Sequence, residues 1–115
     1  LAEVDRRLGE NVLLVHNRGV DVAFLKSAHE WCRIRWRKPA VVDTVDLLVK
    51  AADRARFARP EESHEMPSLN LAKARRAHGL PDYQAHDALT DAIATAELFL
   101  VLCRELGARK LRDLT

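Results

Sequence analysis

Three side chains in this 115-residue sequence have the type and setting to do chemistry: Asp21, His86 and Asp91. Asp21 closes the stretch HNRGVD (16–21) and falls among Val20, Val22, Phe24 and Leu25. On a helix it shares a face with Phe24, Leu25 and Ala28, the side expected to meet a core. An unpaired carboxylate there is costly. A hard divalent cation, Mg2+ or Mn2+, removes that cost, because it takes carboxylate, water and phosphate oxygens. The competing assignment is a first-turn acid that caps the helix and meets its dipole.

Asp91 poses the same choice one helix later. It follows Asp87 by one helical turn, so both acids share a face. It is either a solvated first-turn acid or a ligand. His86 and Asp91 would lie about 140° apart on a regular helix. Both point into one site only if His86 belongs to the loop ahead of that helix. In that position its imidazole titrates near neutrality and can move protons; the alternative is an ordinary surface histidine.

The elements that must position these groups are readable from spacing. LAEVDRRLG (1–9) has helical periodicity with Gly9 as its stop, and NVLLVHN reads as a strand buried on both faces. RGVDVAFLKSAHEWCRI returns to helical spacing, with Val20, Phe24, Ala28, Trp31 and Cys32 as inward candidates. Pro39 introduces a short strand around Val41 and Val42 that passes through "DT" into another helix. Residues 56–68 carry two prolines and no period, so they form a loop. SLNLAKARRAHGL is a helix with Ser68 as N-cap and Gly79 as its stop. A last helix runs from about Asp87 to Leu106, with Leu89, Ile93, Ala96, Phe99, Leu100 and Cys103 as its packing side. Strands alternating with helices predict an α/β domain with adjacent parallel strands. Two strands are too few for an independent sheet, so a portion of a larger sheet is expected.

Length allows one domain, residues 1–115. Apolar residues are 48% and charged ones 31%, nearly balanced in sign, which excludes a disordered polyelectrolyte. The net charge of +2 hints at an anionic partner without establishing one. Arginines cluster in CRIRWRK (32–38), RARFAR (54–59) and KARR (73–76), as solvated faces or as a nucleic-acid path. Cys32 and Cys103 form no CxxC and read as reduced, buried thiols of a cytoplasmic protein. No run is long enough for a membrane span. The chain begins at Leu1 rather than Met, which makes a piece of something longer the expectation.

Taken together, the motifs resemble the DnaQ-like 3'-5' exonucleases, in the DEDD subgroup whose last motif is H-x4-D. HNRGVDVAFL (16–25) is similar to the second motif, HN-x-x-FD-x-x-FL, and HDALTD (86–91) to the third. VVDTVDLL and SLNLAKARRAHGLP look like the segments between them. The resemblance covers nearly the whole chain in the right order and implies the C-terminal portion of a ribonuclease H-like α/β fold, with its first strands missing. It implies that Asp21 and Asp91 are metal-coordinating acids of a two-metal site, that His86 is the general base, and that Asn17 and Phe24 lie at the substrate end. The implied substrate is the 3' end of single-stranded DNA, as in polymerase proofreading, with DNA polymerase subunits as partners; RNA-trimming members share the motifs. Val20 replaces the motif's first Phe. The family's D-x-E motif, which carries two further ligands, has no counterpart ahead of HNRGVD, where the acids are Glu3, Asp5 and Glu10. The chain is therefore expected to be a truncated exonuclease domain, inactive or nearly so.

Two other classes compete. A noncatalytic scaffold would bind a partner chain, or self-associate through an exposed sheet edge. A basic nucleic-acid binder would show steep salt dependence without metal dependence.

Overall fold

The computed structural model describes residues 1–84 and 87–114. The chain divides into two compact units, Leu1–Asp43 and Thr44–Thr115.

In the first unit, α1 (Ala2–Glu10) precedes β1 (Leu13–Val15), α2 (Arg18–Trp31) and β2 (Val41–Asp43). α1 runs through Gly9, so that glycine is not its stop. Glu3 pairs with Arg6 at 2.7 Å and Arg7 at 2.9 Å on its exposed face. β1 and β2 pair in parallel, in the register Leu13↔Val41, Leu14↔Val42 and Val15↔Asp43. Their carboxyl ends therefore leave the sheet side by side. Only Val15 of β1 is buried, against the expectation of a strand covered on both faces.

α2 corrects the expected inward face. Val20, Phe24 and Trp31 are 64%, 73% and 89% exposed, Cys32 is exposed, and Ala28 is half-buried. The inward stripe is instead Val22, Leu25, Ala28 and the fully buried His29. The helix is apolar on both sides, and its covered side contains a histidine, which hid it from hydrophobic pattern reading. His29 is tolerated there because both ring nitrogens have partners: Nδ1 lies 2.7 Å from the Leu25 carbonyl and Nε2 3.2 Å from Asp5 of α1. The Trp36 ring meets it edge-on at 5.0 Å.

In the second unit, α3 (Thr44–Ala58) and α4 (Leu71–Ala77) both pack against α5 (Ala88–Leu106), and a 3-10 turn follows at Leu111–Leu114. The connection between α3 and α4 is residues 59–70 rather than the expected loop 56–68, because α3 continues through Ala58. The core is Leu47 and Leu48 of α3, Ala74 of α4, and Ala94, Leu98, Leu102 and Leu106 of α5. Each buried leucine contributes roughly 1.5–3 kcal/mol. The covered stripe of α5 is Ala94, Thr95, Leu98, Leu102 and Leu106, one residue round from the expected one; Leu89, Ile93 and Leu100 are exposed. Small side chains at Ala94 and Thr95 occupy the covered face, whereas the larger apolar residues misled the sequence reading.

The helix ends follow local chemistry. α4 is capped by Asn70, whose side chain accepts the Lys73 N–H at 3.1 Å, rather than by Ser68. Gly79 at φ +82 follows the helix and Gly107 at φ +65 ends α5, both in the left-handed region that favours glycine. Arg54 of α3 donates to the carbonyl of Leu106 at 2.7 Å, satisfying an orphan acceptor of α5. Both cysteines are free thiols, but Cys32 is exposed and Cys103 half-buried, so neither is the buried residue expected. Burial pushes the Cys103 thiol up from its ordinary pKa. Among the described residues, no helix is long and apolar enough to cross a membrane.

Candidate metal and substrate residues

The first group of site residues sits where β1 turns into α2. Asn17, the N-cap of α2, is left-handed, with φ 79 and ψ 83, and its own side chain makes no capping bond. The partner comes from β2. Asp43, buried at 5% exposure, accepts the Asn17 N–H at 2.9 Å on Oδ1 and the Arg18 N–H at 2.8 Å on Oδ2. The Arg18 guanidinium adds its charge at 3.7 Å. The register Val15↔Asp43 delivers this carboxylate to the turn, because a parallel pair ends on one side of the sheet.

Asp21 follows in the first turn of α2. The residue is exposed, yet its carboxyl is held above the ordinary aspartate range, first by burial of the group and then by the negative charge of Asp43, with His16 acting in the opposite sense. The helix cap is Asn17 rather than Asp21. Phe24 lies one turn further along with most of its ring in solvent.

The second group sits at the start of α5. Asp87 is the N-cap and accepts the Leu89 N–H at 2.9 Å. Asp91 is half-buried, and its Oδ1 is shielded from solvent with no hydrogen-bond partner among the described residues. A solvated first-turn acid would not leave a carboxylate oxygen so placed. The Tyr83 phenol is pushed up from its ordinary pKa by burial, then by the charge of the neighbouring Asp91 carboxylate and by a hydrogen bond to it, so the shielded Oδ1, rather than the whole carboxylate, is what lacks a partner among the described residues. His86, expected as the general base, lies outside the described residues.

Arg75 is the residue that sequence reading misplaced. The spacing of KARR suggests a solvated face or a nucleic-acid path, but Arg75 is 2% exposed. Its guanidinium donates to the Ala94 carbonyl at 2.8 Å, to Glu97 at 3.2 Å and to the Pro81 carbonyl at 3.1 Å, and lies 5.0 Å over the Tyr83 ring. One buried cation thus joins α4, the 81–83 segment and α5. No spacing rule separates it from its exposed neighbour Arg76; the available signal was its position next to Ala74 on a short helix that must pack.

Among the described residues, no group of three or more His, Cys, Asp or Glu is gathered closely enough to hold a metal ion. The donor chemistry nonetheless fits a hard divalent cation. Each of Asp21 and Asp91 offers carboxylate oxygens in its own unit, and the shielded Oδ1 of Asp91, without a partner among the described residues, is a position at which a cation would relieve a desolvation penalty.

The model of the RNase T exonuclease family matches residues 1–99. The chain belongs to this exonuclease family. A protein of Mycobacterium tuberculosis named as a bifunctional exonuclease/endonuclease is 33% identical over 86% of the chain, and the 3'-5' exonuclease DinG of Staphylococcus aureus is 28% identical over the same share. The exonuclease-family chain spans 14% and 10% of these relatives' lengths. No solved structure matches it. Family membership implies the ribonuclease H-like fold, to which the parallel β1–β2 pair and its flanking helices correspond.

Proposed function

We propose that this chain carries the second and third metal-binding segments of a 3'-5' exonuclease acting on single-stranded DNA. The observation that carries the reading is the shielded Oδ1 of Asp91 at the start of α5, in the third motif, in a chain that matches the exonuclease family over residues 1–99. Asp21 and Asp91 would hold Mg2+ or Mn2+. Two such ions, when bound, polarise the scissile phosphate and lower the pKa of an attacking water. His86 would accept that water's proton, while Asn17 and Phe24 would meet the terminal nucleotide. Single-stranded DNA is the primary substrate of this reading, and RNA the variant that shares its motifs.

The remaining two acids of the family's set have no D-x-E counterpart among these 115 residues. The isolated chain is therefore proposed to cut weakly or not at all. The test is digestion of a 5'-labelled single-stranded oligonucleotide, DNA or RNA, by the isolated chain and by the full-length gene product, with Mn2+ and with EDTA. Stepwise shortening from the 3' end by the full-length product, requiring metal and lost in His86→Ala, is the expected result. Cleavage that survives His86→Ala, or that proceeds in EDTA, would falsify the assignment.

A further inference from the structure

The role of Asp43 goes beyond the proposed acids and base. The turn from β1 into α2 has two local problems. Asn17 occupies a left-handed backbone conformation, which asparagine adopts more readily than other non-glycine residues but still as a minor state, and the first amides of any helix lack intrahelical acceptors. Asn17 does not cap α2 with its own side chain. Without a side-chain cap from Asn17, the turn needs a further reason to stay as it is.

Asp43 supplies that reason from the neighbouring strand. Its two oxygens take two successive amides, at 2.9 and 2.8 Å, in a bidentate arrangement that fixes the orientation of the peptide plane between Asn17 and Arg18. Charge-assisted bonds of this kind are about twice as strong as neutral ones, and the carboxylate also meets the positive end of α2. The same turn carries Asn17 and, one helical turn on, Asp21. We propose that Asp43 is a positioning residue: by clamping the Asn17 and Arg18 amides, it holds the β1–α2 turn in the conformation that presents Asn17 and Asp21. The consequence for catalysis rests on the function proposed above; the clamp itself does not.

The first measurement is amide hydrogen exchange by NMR on the 115-residue chain. In Asp43→Asn, an isosteric change that puts an NH2 against one of the two amides, exchange at Asn17 and Arg18 rises at least about tenfold, while the β1–β2 amides stay protected. The second is single-strand digestion by the full-length gene product. Asp43→Asn lowers kcat by about 10- to 100-fold, the range found when a group supporting a metal ligand is removed, and changes KM less. A Leu102→Ala variant in the core of the other unit serves as a control for lost stability, and it retains kcat at temperatures where it is folded.

Three results would overturn the proposal: unchanged exchange at Asn17 and Arg18, raised exchange with wild-type kcat, or a kcat loss that Leu102→Ala reproduces. Should Asp43→Asn fail to fold, Asp43→Glu, which keeps the charge but displaces it by one carbon, is put through the same readouts and decides in the same way. A full-length wild type that cuts nothing overturns the exonuclease reading instead, and the exchange comparison then decides the clamp alone.

Discussion

Asp21 and Asp91 both stand in the first turn of a helix, yet the two helix starts are prepared differently. At α2 the backbone is unusual and the acid is ordinary in its exposure: Asn17 is left-handed, a buried carboxylate from β2 holds the amides, and Asp21 projects where solvent reaches it. At α5 the backbone is ordinary and the acid is not. Asp87 caps the helix from within its own segment, and Asp91 carries a shielded oxygen with no partner among the described residues. One acid is placed by fixing the chain that carries it; the other is placed by packing, with Arg75 tying the preceding segment to the helix. The difference matters for mutation. Damage to the first should act through the turn, and damage to the second through the packing of α4 and α5.

The sharpest break is at Asp91. Asp91→Asn in the full-length gene product lowers kcat on the order of a thousandfold, as loss of a preorganised charge does, while the melting temperature of the isolated chain stays level or rises. If Asp91 is a metal ligand, a shielded oxygen without a partner among the described residues is a liability to the fold, so activity and stability move apart. A structural acid would show both falling together.

Next in size is Arg75. Arg75→Met keeps the aliphatic bulk but leaves the Ala94 and Pro81 carbonyls without this donor, and urea unfolding of the chain should show a loss of about 3 kcal/mol. Arg76→Met, whose side chain is exposed and pairs with Asp82 at 3.2 Å, should change stability by less than about 1 kcal/mol. Equal effects would remove the distinction drawn between the two arginines.

The smallest effect expected is at Asp21 and is visible only against pH. Its carboxyl pKa is raised in the folded state by burial and by Asp43. The folded chain therefore holds the proton more tightly than the unfolded one. That contribution to stability is full below the ordinary aspartate range near pH 4 and is lost as pH rises through the raised value. Asp21→Asn should match wild type at low pH and exceed it, by less than about 1 kcal/mol given the exposure, once the pH has climbed past that window. A thermal melt series across the range checks the sign.

What the sequence disclosed and what it withheld divide along the same line. The span of the last helix, from about Asp87 to Leu106, was legible from its apolar period, whereas the stop expected at Gly9 and the cap expected at Ser68 were not where the chain put them, because several residues near each end could serve. The parallel pairing of the two strands followed from their alternation with helices. The inward faces of α2 and α5 were not legible, because α2 is apolar on two sides and α5 buries Ala94 and Thr95 while exposing Leu89, Ile93 and Leu100. Nor were Asp43 and Arg75, whose importance lies in partners 26 and 19 residues away. "DT" marked a strand end in the sequence, and only the register showed that its acid faces the turn after β1.

Whether Asp21 and Asp91 hold a divalent cation can be read by titrating Mn2+ into the full-length gene product and following the free-ion electron paramagnetic resonance signal, for wild type, Asp21→Asn and Asp91→Asn. Saturable binding that weakens at least about tenfold in each variant is expected, because each loses a charged oxygen ligand. Binding curves that superimpose on wild type in both variants would contradict it.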